Sequence, residues 1–183
     1  LPSSIEVKAA RVNVPGAPQV DGDYLDGLGY ILKVTIAENG NPAGTRFAIY
    51  NTDDSQYLTG TGGLSASAGW KSKAEWETGA ASYHLLGLSD ANANQVKTYR
   101  VIARNRIAVE TILGSSLDGM GTTPPPPPSS VTSTEISDDL LKVDWSPSVT
   151  SATQYALYYT SAAGDPLSSA VFVSSISAPA LTH

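Results

Sequence analysis

Residues 121–130 read Gly-Thr-Thr-Pro-Pro-Pro-Pro-Pro-Ser-Ser, and the five consecutive prolines decide how the chain is divided. Proline has no backbone N–H, so five in succession fit neither a helix interior nor a sheet ladder. Each ring holds φ near about −65°, which predicts a polyproline II segment of roughly 15 Å at about 3.1 Å per residue. We therefore predict a stiff Pro-rich linker at residues 122–130 that separates two folded modules, residues 1–121 and residues 131–183.

The apolar residues of the first module repeat with a period of two. From Tyr30 to Ala37 the side chains alternate between two faces, as expected of a half-buried strand, and Asn39-Gly40 then marks a hairpin turn. We predict further strands at residues 5–14, 47–51, 70–77, 83–88, 96–103 and 107–113, turns at residues 20–29 and an irregular loop at residues 57–69. No window of helical length repeats with period 3.6. Many short strands separated by turn signals predict an all-β sandwich.

Composition restricts the classes of partner. Charged residues are 15% of the chain and the formal net charge is −6, whereas an ordinary soluble domain has about 25% charged residues. The 11 Lys and Arg residues are scattered along the sequence. Nucleic acid is therefore not an expected partner, because phosphate binding needs clustered positive charge. The chain has no cysteine and no apolar run of transmembrane length.

The second module carries a family resemblance. Residues 141–147, Leu-Lys-Val-Asp-Trp-Ser-Pro, and residues 152–159, Ala-Thr-Gln-Tyr-Ala-Leu-Tyr-Tyr, are similar to the B and C strands of a fibronectin type III module. In that family a B-strand Trp and a C-strand Tyr pack between the sheets, which the resemblance implies for Trp145 and Tyr155. Residues 32–44 resemble the strand and turn pattern of bacterial immunoglobulin-like domains. Together these resemblances imply two immunoglobulin-like or fibronectin-type β-sandwich modules joined by a polyproline linker.

The second module is shorter than the family that it resembles. An immunoglobulin-type sandwich takes about 100 residues and seven strands, and this sequence ends about where the fifth strand is expected. We expect either a fragment of a longer protein or a sandwich that is completed by a strand from another chain. The candidate donor is Leu1–Val14, an extended segment in which Ile5, Val7, Val12 and Val14 alternate with other residues.

Two tryptophans allow two interpretations. Trp70 and Trp76 lie on one face of a predicted strand whose other face carries four charged residues. Aromatic rings in a row stack on sugar rings, and Tyr57 would extend such a glycan-binding platform. The inner face of a sandwich produces the same pattern, with its charged side toward water. The sequence leaves both interpretations open.

Asp21, Asp23 and Asp26 form the most metal-like cluster in the sequence. Carboxylate-rich loops suit Ca²⁺, which takes about 6–8 oxygen ligands. The EF-hand pattern is not met, because Asp26 stands where that loop needs Gly and Leu32 stands where it needs Glu. An acidic turn without metal is the alternative, and no other cofactor is predicted.

Catalysis is not predicted. His84 has no Gly-x-Ser-x-Gly element to accompany it, and the glycines at residues 60–63 complete no dinucleotide fingerprint. The composition alone leaves a paired-carboxylate glycosidase open, although a β-sandwich of this size with a linker is an unusual setting for one.

These features predict a non-catalytic structural or adhesive protein, secreted or at the cell surface of a bacterium. Its expected partners are other copies of the same chain, as in a pilus-like filament assembled by strand donation, or other surface proteins. The alternative is an accessory carbohydrate-binding and spacer region of a secreted polysaccharide-degrading enzyme, with glycans as partners. The exposure of Trp70 and Trp76 separates the two functions.

Overall fold

The computed structural model describes residues 12–137, 140–146, 154–159 and 171–177. The chain divides into two compact units, Leu1–Pro124 and Pro125–His183. Within the described ranges, the only α-helix is four residues long, and no helix is long and apolar enough to cross a membrane.

The first unit consists of two antiparallel sheets. The three-stranded sheet has the order β1-β2-β6 and contains β1 (Gln19–Leu25), β2 (Gly29–Thr35) and β6 (Tyr83–Gly87). The five-stranded sheet has the order β5-β4-β3-β7-β8 and contains β3 (Arg46–Asn51), β4 (Gln56–Leu58), β5 (Leu64–Ser65), β7 (Val96–Arg104) and β8 (Gly119–Thr122). Short 3-10 turns occupy Asp90–Asn92 and Leu113–Ser115.

One apolar core joins the two sheets. Leu32 and Val34 of β2 lie in the same cluster as Phe47 of β3 and Val101 of β7, and all four are at most 1% exposed. Because both sheets contribute to a single cluster, they pack face to face as a sandwich. The predicted all-β sandwich is confirmed.

The predicted strand at residues 70–77 is wrong. Residues Lys73–Trp76 form the short helix α1, which begins after a complete capping box at Ser72. The Ser72 hydroxyl accepts a hydrogen bond from the Glu75 N–H (3.2 Å), and a Glu75 carboxylate oxygen accepts one from the Ser72 N–H (2.6 Å). This Ser-x-x-Glu pattern starts a helical turn, and it overrides the period-two alternation.

Other segments also differ from the sequence prediction. Residues 20–25, predicted as turn, lie within β1, and the predicted loop at residues 57–69 contains β4 and β5. Residues 12–18 form no strand. Residues 107–113 form no strand either, since Ala108 has a φ of +63° in a tight turn and pairing there is one isolated bridge between Arg104 and Glu110.

The second unit contains two antiparallel strand pairs. β9 (Ser129–Ser137) pairs with β10 (Leu140–Ser146), and β11 (Gln154–Tyr159) pairs with β12 (Val171–Ser177). Trp145 is 7% exposed, and its ring meets that of Tyr155 edge to face at a centroid distance of 5.7 Å. This is the contact that the fibronectin resemblance implies.

The proline run lies between β8 and β9, and residues 123–128 form neither helix nor strand. Thr122 is the last residue of β8. Thr123 is 1% exposed, and its hydroxyl donates to the Asn92 carbonyl at 2.6 Å. Ser129 already belongs to β9. The segment without strand structure is therefore shorter than the predicted linker, and its polyproline II conformation stays a prediction.

Candidate functional site

A groove of about 590 Å³ opens where β3 begins and β7 ends. Its walls are formed by Gly44, Arg46, Ser72, Arg104, Asn105, Arg106 and Ala108. Three of these residues are arginine, although the whole chain has only 11 Lys and Arg residues and a net charge of −6. The fold therefore gathers positive charge that is scattered in the sequence.

Arg46 and Arg104 face each other across the ladder between β3 and β7. Like charges directly opposite each other destabilise a sheet, and each arginine has an acidic neighbour. Arg46 pairs with Glu75 at 2.5 Å, and Arg104 pairs with Glu110 at 3.7 Å. The pKa of Glu75 is lowered, first by the backbone hydrogen bond from Ser72 and also by the charge of Arg46.

Arg104 also stacks on Trp70. The guanidinium carbon lies 4.4 Å from the centroid of the Trp70 ring, which is a cation–π distance. Trp70 is half-buried. The tryptophan therefore supports an arginine of the groove and gives one of its ring faces to that contact.

Arg106 has a different environment. It is exposed, and no acidic side chain in the described part of the chain forms an ion pair with it. Its guanidinium lies against the Gly44 backbone, because a methyl group at Gly44 would be 2.8 Å from Arg106 Nε. The Asn105 side-chain oxygen accepts hydrogen bonds from the N–H groups of Ile107 and Val109, which fixes the turn that presents Arg106.

The aromatic platform suggested by the sequence is not formed. Trp76 is 0% exposed, and its Nε1–H donates to the Phe47 carbonyl at 2.8 Å. Tyr57, on β4, packs edge to face on Tyr50 at a centroid distance of 4.9 Å, and burial is the main cause of its raised pKa. Of the two interpretations of Trp76, the core position is the correct one, because a fully buried ring cannot stack on a sugar.

The predicted calcium ligands are not brought together. Asp21 and Asp23 lie on β1, and Asp26 lies in the turn that follows. The Asp21 carboxylate accepts from its neighbour Gln19 at 3.0 Å, and Asp23 accepts from the N–H of Tyr24 at 2.8 Å. Within the described ranges no three Asp, Glu, His or Cys side chains are placed to share a metal ion. The structure therefore shows an acidic hairpin here.

The described part of the predicted donor strand is engaged with its own unit. Ile5 and Val7 lie outside the described residues. Val12 packs against the core, and the Val14 carbonyl accepts from the Asn39 side chain at 2.8 Å. Val12 and Val14 lie in no strand of their own unit, and the prediction that this segment donates a strand to another chain stays a prediction.

A buried polar network around His84 was not found from the sequence. His84 is 5% exposed, and its Nδ1 lies 2.6 Å from the hydroxyl of the fully buried Tyr99. The amide nitrogen of Asn51 lies 3.4 Å from the same Nδ1. The Asn51 amide also donates to the Asp54 carboxylate at 2.8 Å, which links the acidic loop to this network. Burial lowers the pKa of His84 and raises the pKa of Tyr99. Both groups stabilise the core rather than face a substrate.

Comparisons with known proteins add little about function. No protein-family model matches the chain, and no curated protein matches it. Among solved structures, the crystal structure of the FN1–FN3 domains of chicken CNTN1 is similar, with a TM-score of 0.44 and 16% sequence identity. The similarity covers 94% of this chain and 57% of that chain. It identifies neither a ligand nor an activity.

The His84 network leads to a prediction about pH. The native pKa of His84 lies below its ordinary value of 6.5, chiefly because of burial, so the unfolded chain takes up a proton first as the pH falls. Stability should therefore be fully present above about pH 7 and decline as the pH drops below about 6.5. Urea denaturation at pH 8.0 and 5.5 should show a larger loss for the native chain than for His84→Gln. Equal losses in the two proteins would contradict this linkage.

Proposed function

We propose that the chain is a non-catalytic structural or adhesive protein that acts outside the cell. The observation that supports this most directly is the character of its groove, which three guanidinium groups line. Arginine stays protonated at all ordinary pH values and only donates hydrogen bonds. Such a groove is suited to holding a partner and is poorly suited to general acid–base catalysis.

The buried residues support the same proposal. Trp76 and His84, the side chains best suited to ligand stacking or proton transfer, are 0% and 5% exposed. Trp76 Nε1 and His84 Nδ1 are hydrogen-bonded to the Phe47 carbonyl and the Tyr99 hydroxyl inside the sandwich. The first unit therefore uses these side chains for packing, and its groove lies where the ends of strands and a turn meet, which is where binding residues often occur.

Adhesion is testable with beads that carry the full chain. We expect such beads to be retained under flow on surfaces coated with bacterial extracellular polysaccharide or with the chain itself, more strongly than beads coated with albumin. Retention equal to that of albumin beads on both surfaces would refute the adhesive role. Turnover of chromogenic esterase or glycosidase substrates by the purified chain would refute the non-catalytic assignment.

Filament assembly by strand donation is a finer form of the proposal. It requires Val12, Asn13 and Val14 to leave their own unit, with loss of the Val12 packing and of the bonds between Asn13 and Asn41. Sedimentation of the purified chain over a dilution series tests this form. Larger species that dissociate on dilution would support it, and a compact monomer at every concentration would rule it out.

The alternative role as a carbohydrate-binding accessory of a secreted enzyme loses its main support. Trp76 is buried, and one face of Trp70 is taken by Arg104. We therefore expect tryptophan fluorescence to stay unchanged on titration with neutral oligosaccharides such as cellohexaose or maltohexaose. Saturable quenching by a neutral glycan, lost in Trp70→Ala, would restore the alternative.

A further inference from the structure

We propose that the groove binds the oxyanion of a polar ligand, such as the carboxylate of an acidic sugar or of a small hydroxy acid, through Arg106 and Arg104. This inference rests on the proposed binding role of the chain and names the chemical class of what the groove holds.

The first reason is the placement of charge in the sheet. Arg46 and Arg104 are direct cross-strand partners, an arrangement that destabilises a sheet unless negative charge compensates it. The compensation for Arg104 is loose, since its nitrogen lies 3.7 Å from the Glu110 oxygen, beyond ordinary hydrogen-bond distance. A guanidinium has five N–H donors, so Arg104 retains donors for a ligand while its plane is held against Trp70.

The second reason is Arg106. Within the described ranges it forms no ion pair, and its guanidinium lies beside Gly44 on the turn that the Asn105 side chain fixes. A guanidinium without an acidic partner keeps its charge and its N–H donors for an incoming anion, whereas Arg46 and Arg104 share their charges with Glu75 and Glu110. Arg106 is therefore the residue on which we expect affinity to depend most.

The third reason is the match between groove and ligand. A volume of about 590 Å³ falls within the range of roughly 300–1,000 Å³ that is typical of small-molecule sites. The rigid fork of arginine matches the two oxygens of a carboxylate. Among the described residues, none that lines the groove is acidic, and the nearby Glu75 and Glu110 are already paired with Arg46 and Arg104.

Isothermal titration calorimetry of the full chain at low ionic strength tests the proposal. The probes are tri-galacturonate, citrate and sodium sulfate, with maltotriose as the uncharged control. We expect saturable binding of at least one anionic probe and none of maltotriose. Tighter binding of tri-galacturonate would identify an acidic sugar as the source of the carboxylate, and tighter binding of citrate or sulfate would identify a free oxyanion.

Three variants distinguish binding in the groove from general charge effects. Arg106→Gln removes one positive charge from the groove and should weaken binding about tenfold or more, the effect of losing hydrogen bonds to a charged group. Arg100→Gln also removes one positive charge, but Arg100 lies on β7 and pairs with Asp118 outside the groove. This control substitution should change the affinity less than about twofold. Arg106→Lys keeps the charge without the fork and should give an intermediate affinity.

Two results would overturn the proposal. One is that no anionic probe binds, and the other is that Arg106→Gln and Arg100→Gln weaken anion binding equally. Thermal unfolding of each variant verifies that it is folded, and Arg106→Lys provides a second test should Arg106→Gln be unstable. Anion binding without bead adhesion would support the groove while refuting the adhesive role, so the two proposals can fail separately.

Discussion

Replacing Trp76 with alanine is expected to lower the free energy of unfolding of the first unit by about 3–5 kcal/mol. The indole is 0% exposed and belongs to the cluster that joins the two sheets. Its removal leaves a cavity and deprives the buried Phe47 carbonyl of the N–H that it accepts at 2.8 Å. The carbonyl keeps its second hydrogen bond, from the Lys71 N–H at 3.1 Å, so the cavity supplies most of the expected loss and the missing Trp76 hydrogen bond adds to it.

The measurement should resolve the two units, since a chain with two compact parts does not have to unfold in one step. Differential scanning calorimetry of the full chain can follow the transition of the first unit separately. Trp70→Ala is the matched control, because Trp70 is half-buried and contacts Arg104 from one side. We expect it to lose about 1 kcal/mol, the magnitude of an exposed cation–π contact. Similar losses in the two variants would contradict the core position of Trp76.

Replacing Gly22 with alanine should destabilise the first unit by about 1–3 kcal/mol. A Cβ at Gly22 would overlap the Thr122 carbonyl oxygen and would lie 2.9 Å from Thr123 Cα. Those are backbone atoms at the end of β8, and Thr123 is itself tied to Asn92 and Gln95 by hydrogen bonds. The backbone at the end of β8 cannot move aside without breaking these hydrogen bonds. The clash therefore forces the edges of the two sheets apart.

Gly114→Ala is the control for this effect. A Cβ at Gly114 meets no atom within 4 Å, so this variant should change stability by no more than about 0.5 kcal/mol. Equilibrium urea denaturation of both variants provides the comparison. A Gly22→Ala protein as stable as Gly114→Ala would show that β1 and β8 do not approach as closely as the structure indicates.

If the groove binds an oxyanion, the core and the groove of the first unit have separate roles. The core residues hold the sandwich rigid, while the start of β3, the end of β7 and the Asn105 turn present the arginines at its surface. Lowering the pH should affect the two parts differently. The stability of the core falls as the solution becomes acidic, because the buried His84 resists protonation. The arginines of the groove keep their charge over the same pH range.

The sequence predicted several strands with useful accuracy, and the reasons for the misses are specific. The strand at Tyr30–Ala37 corresponds to β2, and those at 83–88 and 96–103 correspond to β6 and β7. The alternation at residues 70–77 predicts a strand, but the Ser72–Glu75 capping box starts a helical turn there instead. The predicted strand at residues 107–113 failed because the Asn105 side chain bonds two backbone N–H groups and holds a tight turn.

By itself the sequence determined that this protein is all-β and that residues 124–128 hold no helix or strand. Both follow from local rules, namely the period of side chains along a strand and the lack of an N–H in proline. Only the tertiary structure decided that Trp76 is buried, that His84 meets Tyr99, and that three arginines line one groove. Arg46 and Arg104 are far apart in the sequence and become neighbours only when β3 pairs with β7. Burial depends on which distant segment packs over a residue, and charge clustering depends on which distant strands pair. A local sequence pattern contains neither kind of information.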